Sequence, residues 1–144
     1  MSISNRYEAA SRDLMISFLE KRELLHDWTR LVRPRNAPPR QKWDQHCQDL
    51  DELSAVVADI ETGAPGVPVL LRHYLKLGGK LLGFNVDREF AGALDGLIVV
   101  DLTRTEPRLL ARYLGQAEAD AFLQYQKGLH AIPQHAGVSN LSHG

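Results

Sequence analysis

Residues 67–102, VPVLLRHYLKLGGKLLGFNVDREFAGALDGLIVVDL, constrain the fold more than any other stretch, because their apolar period changes within a few residues. Leu70, Leu71, Tyr74, Leu75 and Leu77 recur at three- and four-residue steps, the spacing of one helix face. Pro68 suits a first helical turn, where its missing N–H would have no partner in any case. Gly78-Gly79 stops the helix, since glycine accepts the left-handed conformation that closes one. LLGFNV and LIVVDL then read as strands, rich in residues that fit a pleated surface. Asp87 and Asp95-Gly96 sit between them as turn material. The pattern predicts a helix, a strand, a wide connection and a second strand.

The flanks read as helices. Residues 5–33 predict one long amphipathic helix, with Asn5 and Glu8 at capping spacing and Leu14, Phe18, Leu25, Trp28 and Val32 as its stripe. Its other faces carry Arg12, Lys21, Arg22, Arg30 and Arg33, so it can pack on its own domain or rest on anionic lipid. RPRNAPPRQKW follows, where Pro34, Pro38 and Pro39 interrupt regular structure and the basic residues Arg33, Arg35, Arg40 and Lys42 can contact a phosphate or headgroup or, as is more usual, make a solvated charge run. Asp49 with Glu52 signals the next helix, with a stripe of Leu50, Leu53, Val56, Val57 and Ile60, broken by GAPG at 63–66. Thr105, Glu106 and Pro107 open another helix that stops at Gly115, and residues 117–127 form the last. These elements predict an α+β chain within the broad α/β class, an antiparallel two-strand unit flanked by several helices. The boundaries fall at 1–45 for the amphipathic helix and basic linker, 46–128 for the main region, and 129–144 for a frayed tail.

A chain of 144 residues suits one domain, and 44% hydrophobic residues can fill its core. A net charge of −1 argues against nucleic acid as a partner. Cys47 is the one cysteine, which excludes an internal disulfide and fits a reducing compartment. No run reaches the ~20 apolar residues of a membrane span. The polar opening MSISNRYEAASRD does not resemble a secretory signal. The expected location is cytoplasmic, with peripheral contact to the inner face of a membrane.

Mechanistic motifs are few. G-x-x-x-x-G-K-[ST], H-E-x-x-H, G-x-S-x-G and paired C-x-x-C are all absent. His130 and His135 have near-metal spacing, but Pro133 interrupts the helix that would hold both, and no metal is expected. His46 and Cys47 are adjacent, so their side chains diverge on any regular backbone and do not make a nucleophile–base pair. Asp87, Asp95 and Asp101 lie around the strands, where a carboxylate can act as a base or cap a turn through its own backbone. Arg72, His73 and Lys76 share one helix and can meet a phosphate or remain solvated.

Tyr74-Leu75-Lys76-Leu77-Gly78, then Asp87, Phe90, Gly92 and Asp95, then the strand 97–102, resemble the C-terminal end of the ornithine-lipid-type N-acyltransferases. That GNAT-like family, often labelled haemolysins, also occurs fused to lysophospholipid acyltransferases. The resemblance covers roughly residues 49–125. It implies a partial GNAT-like domain that transfers a fatty acyl group from a thioester to an amine or lysolipid. Asp87 and Asp95 would then orient the amine, while Arg72, Tyr74, Lys76 and Phe90 would contact substrate. Acyl carrier protein or acyl-CoA would be the donor, with no cofactor held tightly. The family's donor-gripping glycine turn opens a helix, whereas Gly78-Gly79 follows one, and the H-x4-D motif of the fused enzymes is absent. The chain therefore reads as a distal half that acts with another polypeptide. The alternatives are a non-catalytic protein-interaction or lipid-binding module, or a complete small acyltransferase with an atypical donor site. A small sheet with open edges invites pairing with a second chain. Self-association or a partner polypeptide is expected along strand 80–86 or 97–102.

Overall fold

The computed structural model describes residues 1–39, 47–63 and 66–130. Arg40, Lys42, Trp43, His46, most of the GAPG break's centre, and the tail with His135 and His143 lie outside the described residues. The chain divides into two compact units, Met1–Asp101 and Leu102–Gly144. The residues before the proline-rich linker pack in the same unit as those after it, so the units do not divide at that linker.

The first unit is α+β, with a three-stranded antiparallel sheet. β1 (Ser2–Ile3) and β2 (Lys80–Asp87) lie on either side of β3 (Ala93–Val99). α1 (Ala9–Arg22), α2 (His26–Thr29), α3 (Leu50–Ile60) and α4 (Val69–Lys76) complete it. In the second unit, a 3₁₀ turn (Leu102–Arg104) precedes α5 (Pro107–Leu114) and α6 (Gln116–His130). Leu110 and Ala119 are its buried apolar side chains.

The helix expected over 5–33 is corrected to two. Glu23 and Leu25 leave the helical ladder to pair with the sheet: Leu81 N–H donates to Glu23 O at 2.7 Å, and Leu25 N–H to Leu81 O at 2.8 Å. Asn5 and Glu8 do not form the expected cap pair. Asn5 Nδ2 donates to Ala91 O at 2.9 Å, and Glu8 N–H donates to Glu61 Oε1 at 2.7 Å. The starts of α3 and α4 agree with their sequence signals. Asp49 Oδ1 accepts from the Asp51 and Glu52 N–H groups at 2.9 and 2.8 Å, while Glu52 Oε2 accepts from Gln48 N–H at 2.6 Å. Those bonds satisfy donors that a helix start leaves free.

Two strand expectations change as well. A third strand, β1, joins the two that were expected. The second expected strand, 97–102, is shifted to Ala93–Val99, because the connection before it is a tight turn and not a wide one. Gly92 N–H donates to Asp87 O at 2.8 Å and Ala93 N–H to Phe90 O at 3.0 Å, with Ala91 and Gly92 at φ 54 and 75. Asp95-Gly96 is consequently mid-strand. Gly96 stands opposite Phe84, and a Cβ there would lie 3.1 Å from the Phe84 ring and 3.0 Å from Met1 Cε. A side chain at this position would need the Phe84 ring and the Met1 side chain to give way by a few tenths of an ångström.

Cross-strand register sorts the sheet into two faces. Ile3, Leu94 and Val86 form one row, and Leu81 and Ile98 another, all on the side packed with α1 and α3 side chains such as Leu14, Leu19, Leu53 and Val57. The second face carries Asp95 opposite both Ser2 and Asn85, and Leu97 opposite Gly83. Leu94, with no exposed surface, holds the centre of the core face. Leu94→Ala should lower unfolding free energy by about 2–5 kcal/mol in urea titration; a loss under about 1 kcal/mol would mean that the core does not close on β3.

Candidate functional site

Past α2 the chain turns back over the sheet. Its residues 32–36 are tied to the outer edge of β2. Val86 N–H donates to Asn36 O at 2.7 Å, Asn36 N–H donates to Asn85 Oδ1 at 2.8 Å, and Asn36 Nδ2 reaches Val86 O at 3.3 Å. Between this strap and the second face of the sheet lies an open cleft of about 310 Å³. Val32, Arg33, Pro34 and Arg35 line it from the strap, and Gly83, Phe84, Asn85, Asp95 and Leu97 from the sheet. The volume is at the small end for a ligand pocket.

The cleft is apolar in its lining, with a few polar groups. Asp95 is the carboxylate in it, half-buried mid-strand, and Ser2 Oγ donates to its Oδ1. A carboxylate held through one oxygen keeps acceptor capacity on the other. Leu97 is 49% exposed, an apolar surface that a strand interior normally covers. Arg33 and Arg35 are exposed, and neither forms an ion pair among the described residues.

The expected site residues do not converge. Asp95 lines the cleft, and Asp87 does not. Asp87 Oδ1 accepts from the Glu89 and Phe90 N–H groups at 2.9 and 3.0 Å, which is the turn-capping role. Arg72 pairs with Asp51 at 2.7 Å, joining α4 to α3. Tyr74 contributes its carbonyl to the Gly79 N–H at 2.8 Å, and its side chain is half-buried. Lys76 is exposed in the last turn of α4. Phe90 is 77% exposed on the β2–β3 turn. Leu81 and Phe84 belong to the core, and Phe84 also borders the cleft.

Arg33, Arg35, Asn85 and Leu97 were not among the expected site residues. The signal for the strap was present as a proline-rich basic stretch, but nothing in it marks Asn36 as a partner of Asn85, 49 residues away.

Cys47 is buried and free. Burial pushes its thiol pKa up, Glu52 and Asp49 push the same way, and Arg22 partly opposes them. It therefore holds less thiolate than an ordinary cysteine, which disfavours a nucleophilic role. Among the described residues, no group of three His, Cys, Asp or Glu side chains is placed to hold a metal ion. No described helix is long and apolar enough to cross a membrane. Compared with protein-family models, curated proteins and solved structures, the chain matches none.

Asp87→Ala should cost about 1 kcal/mol of stability through the lost turn bonds, and Asp87→Asn, which keeps an acceptor, should cost less. Equal losses in thermal melts would show that the carboxylate, and not the turn acceptor, matters there.

Proposed function

We propose that the chain is an acyltransferase-related protein of lipid metabolism whose cleft takes the fatty acyl chain of a thioester. Asp95 orients an attacking amine beside it. The observation that carries this reading is the cleft itself: an apolar lining, one anchored carboxylate within it and two guanidinium groups of its strap that form no ion pair among the described residues. Each methylene buried against Leu97, Val32 and Pro34 contributes about 0.8 kcal/mol, so even part of an acyl chain gives measurable affinity. Arg33 and Arg35 supply charge for a phosphate of the donor, whether acyl carrier protein or acyl-CoA. Attack by an amine on a thioester needs a neutral amine and donors for the developing oxyanion. Asp95 offers the first. Oxyanion donors and the rest of the grip on the donor's phosphates come from a second polypeptide, with which this chain acts as a partial domain.

One observation favours a second reading, a non-catalytic lipid-binding module. Asp87 is occupied with its turn, and among the described residues no histidine, lysine or cysteine lines the cleft. Acid–base chemistry there would rest on Asp95 alone.

Titration with palmitoyl-coenzyme A should show saturable one-to-one binding. Leu97→Asp should weaken it about ten-fold or more, since the new charge would lose hydration on contact with the chain. Asp95→Asn should leave binding within about two-fold and reduce transfer to an amine about a hundred-fold. Binding that ignores Leu97→Asp would remove the cleft from the account. Unchanged transfer in Asp95→Asn would remove Asp95 from the chemistry, and binding with no transfer even when the partner polypeptide is supplied would leave the lipid-binding module.

A further inference from the structure

The amphipathic helix expected over residues 5–33 was a candidate lipid contact, but the apolar side of its first half is spent in the core. Leu14, Met15, Ile16, Phe18 and Leu19 of α1 are all buried. The second half is different. Trp28 N–H donates to Leu25 O at 3.0 Å and Leu31 N–H to Trp28 O at 2.9 Å, a three-residue repeat. Side chains three apart in such a repeat stack on one side. Trp28 and Leu31, three residues apart, therefore form a short ridge beyond half-buried Leu25 at the β2 edge, and it ends in solvent. Trp28 is 49% exposed and Leu31 is 74% exposed.

Along the chain, the charges next to the ridge are mostly basic. Between His26 and Pro39 stand Arg30, Arg33 and Arg35 against a single acid, Asp27. All three arginines are exposed and none is ion-paired among the described residues. An exposed indole and leucine with three exposed guanidinium groups within seven residues of the indole match the boundary of an anionic bilayer. There, the indole sits at the headgroup level, the leucine enters the acyl region and the arginines meet lipid phosphates.

We propose that the Trp28–Leu31 ridge with Arg30, Arg33 and Arg35 docks the protein on an anionic membrane surface. Docking does not require an occupied cleft, although it shares Arg33 and Arg35 with the proposed donor site. Because Arg33 and Arg35 also line the cleft, a docked molecule holds the cleft next to the headgroups.

Vesicle co-sedimentation tests the surface directly. The chain should bind vesicles of phosphatidylcholine with about one-third phosphatidylglycerol, bind phosphatidylcholine alone far less, and release in about 0.5 M salt. Arg30→Gln/Arg33→Gln/Arg35→Gln should weaken binding about a hundred-fold, and Trp28→Ser/Leu31→Ser at least about ten-fold. Thermal melts should stay at the parent value, as these side chains are exposed. In a Trp43→Phe background, Trp28 emission should shift to the blue on anionic vesicles, a readout that needs no change to the ridge. Absence of vesicle binding would overturn the proposal, as would binding with Trp28 emission unmoved or binding untouched by both multiple variants. A stable dimer abolished by Trp28→Ser, without vesicle binding, would assign the ridge to a second copy and also overturn it. Palmitoyl-coenzyme A binding in vesicle-free solution is read separately, so failure of docking and failure of the cleft are distinguishable.

Discussion

The outer edge of β2 is the constraint on which the first unit depends. A strand with one free edge presents unpaired N–H and C=O groups that attract another chain. Here two segments of the same chain occupy that edge. Glu23 and Leu25 take the backbone groups of Leu81, and Asn36 takes those of Val86. Lys80 and Glu23 add a 2.6 Å ion pair at the same end, partly exposed and therefore of small weight. Along strand 80–86, one of the two expected association routes, the outward backbone groups of Leu81 and Val86 are thus taken from within the chain. The other side of the sheet differs. β1 pairs with Leu94 and Asp95 only, and Met1 and Gly96 exchange backbone bonds beyond it, so among the described residues the last part of β3 is left without a neighbour on that side.

The same edge bonds create the cleft. The chain that leaves α2 must return to β2 to satisfy Val86 and Asn85, and in doing so it carries Val32, Arg33, Pro34 and Arg35 over the second face. Prolines suit this path, because a strap that touches the sheet at one residue needs few donors of its own. Without Asn36 the strap would have no polar anchor, and the apolar lining would open to water. Structural bonding and the candidate chemistry are therefore adjacent: Asn85 holds the strap, and Asp95, its cross-strand neighbour, faces the space that the strap encloses.

Much of the fold was legible in local chemistry. Asp49 with Glu52, Pro68 before an apolar stripe and Gly78 after it act within a few residues, and α3 and α4 follow from them. The errors share one cause, which is competition from distant partners. Residues 23–25 have helical pattern on both sides, yet the unpaired groups of Leu81 draw them out of the helix. Asp95-Gly96 has turn composition, yet Gly96 is mid-strand to admit the Phe84 ring, and the turn is made instead by Asp87. Of the two aspartates singled out, the sequence had no means to separate the one capping a turn from the one lining a cleft. That distinction rests on the register of β3, which the preceding tight turn sets. Arg33 and Arg35 looked like solvated linker charge, and only the Asn36–Asn85 bond brings them to the sheet.

The sealed edge of β2 can be examined residue by residue through native-state hydrogen exchange. The Leu81 and Val86 amides both point away from β3, toward Glu23 and Asn36, so sealing predicts protection comparable to that of the Leu94 and Gly96 amides within the sheet. Exchange of Leu81 and Val86 at the rate of free amides, with Leu94 still protected, would mean that the edge is open, and neither the strap nor the cleft beneath it would stand.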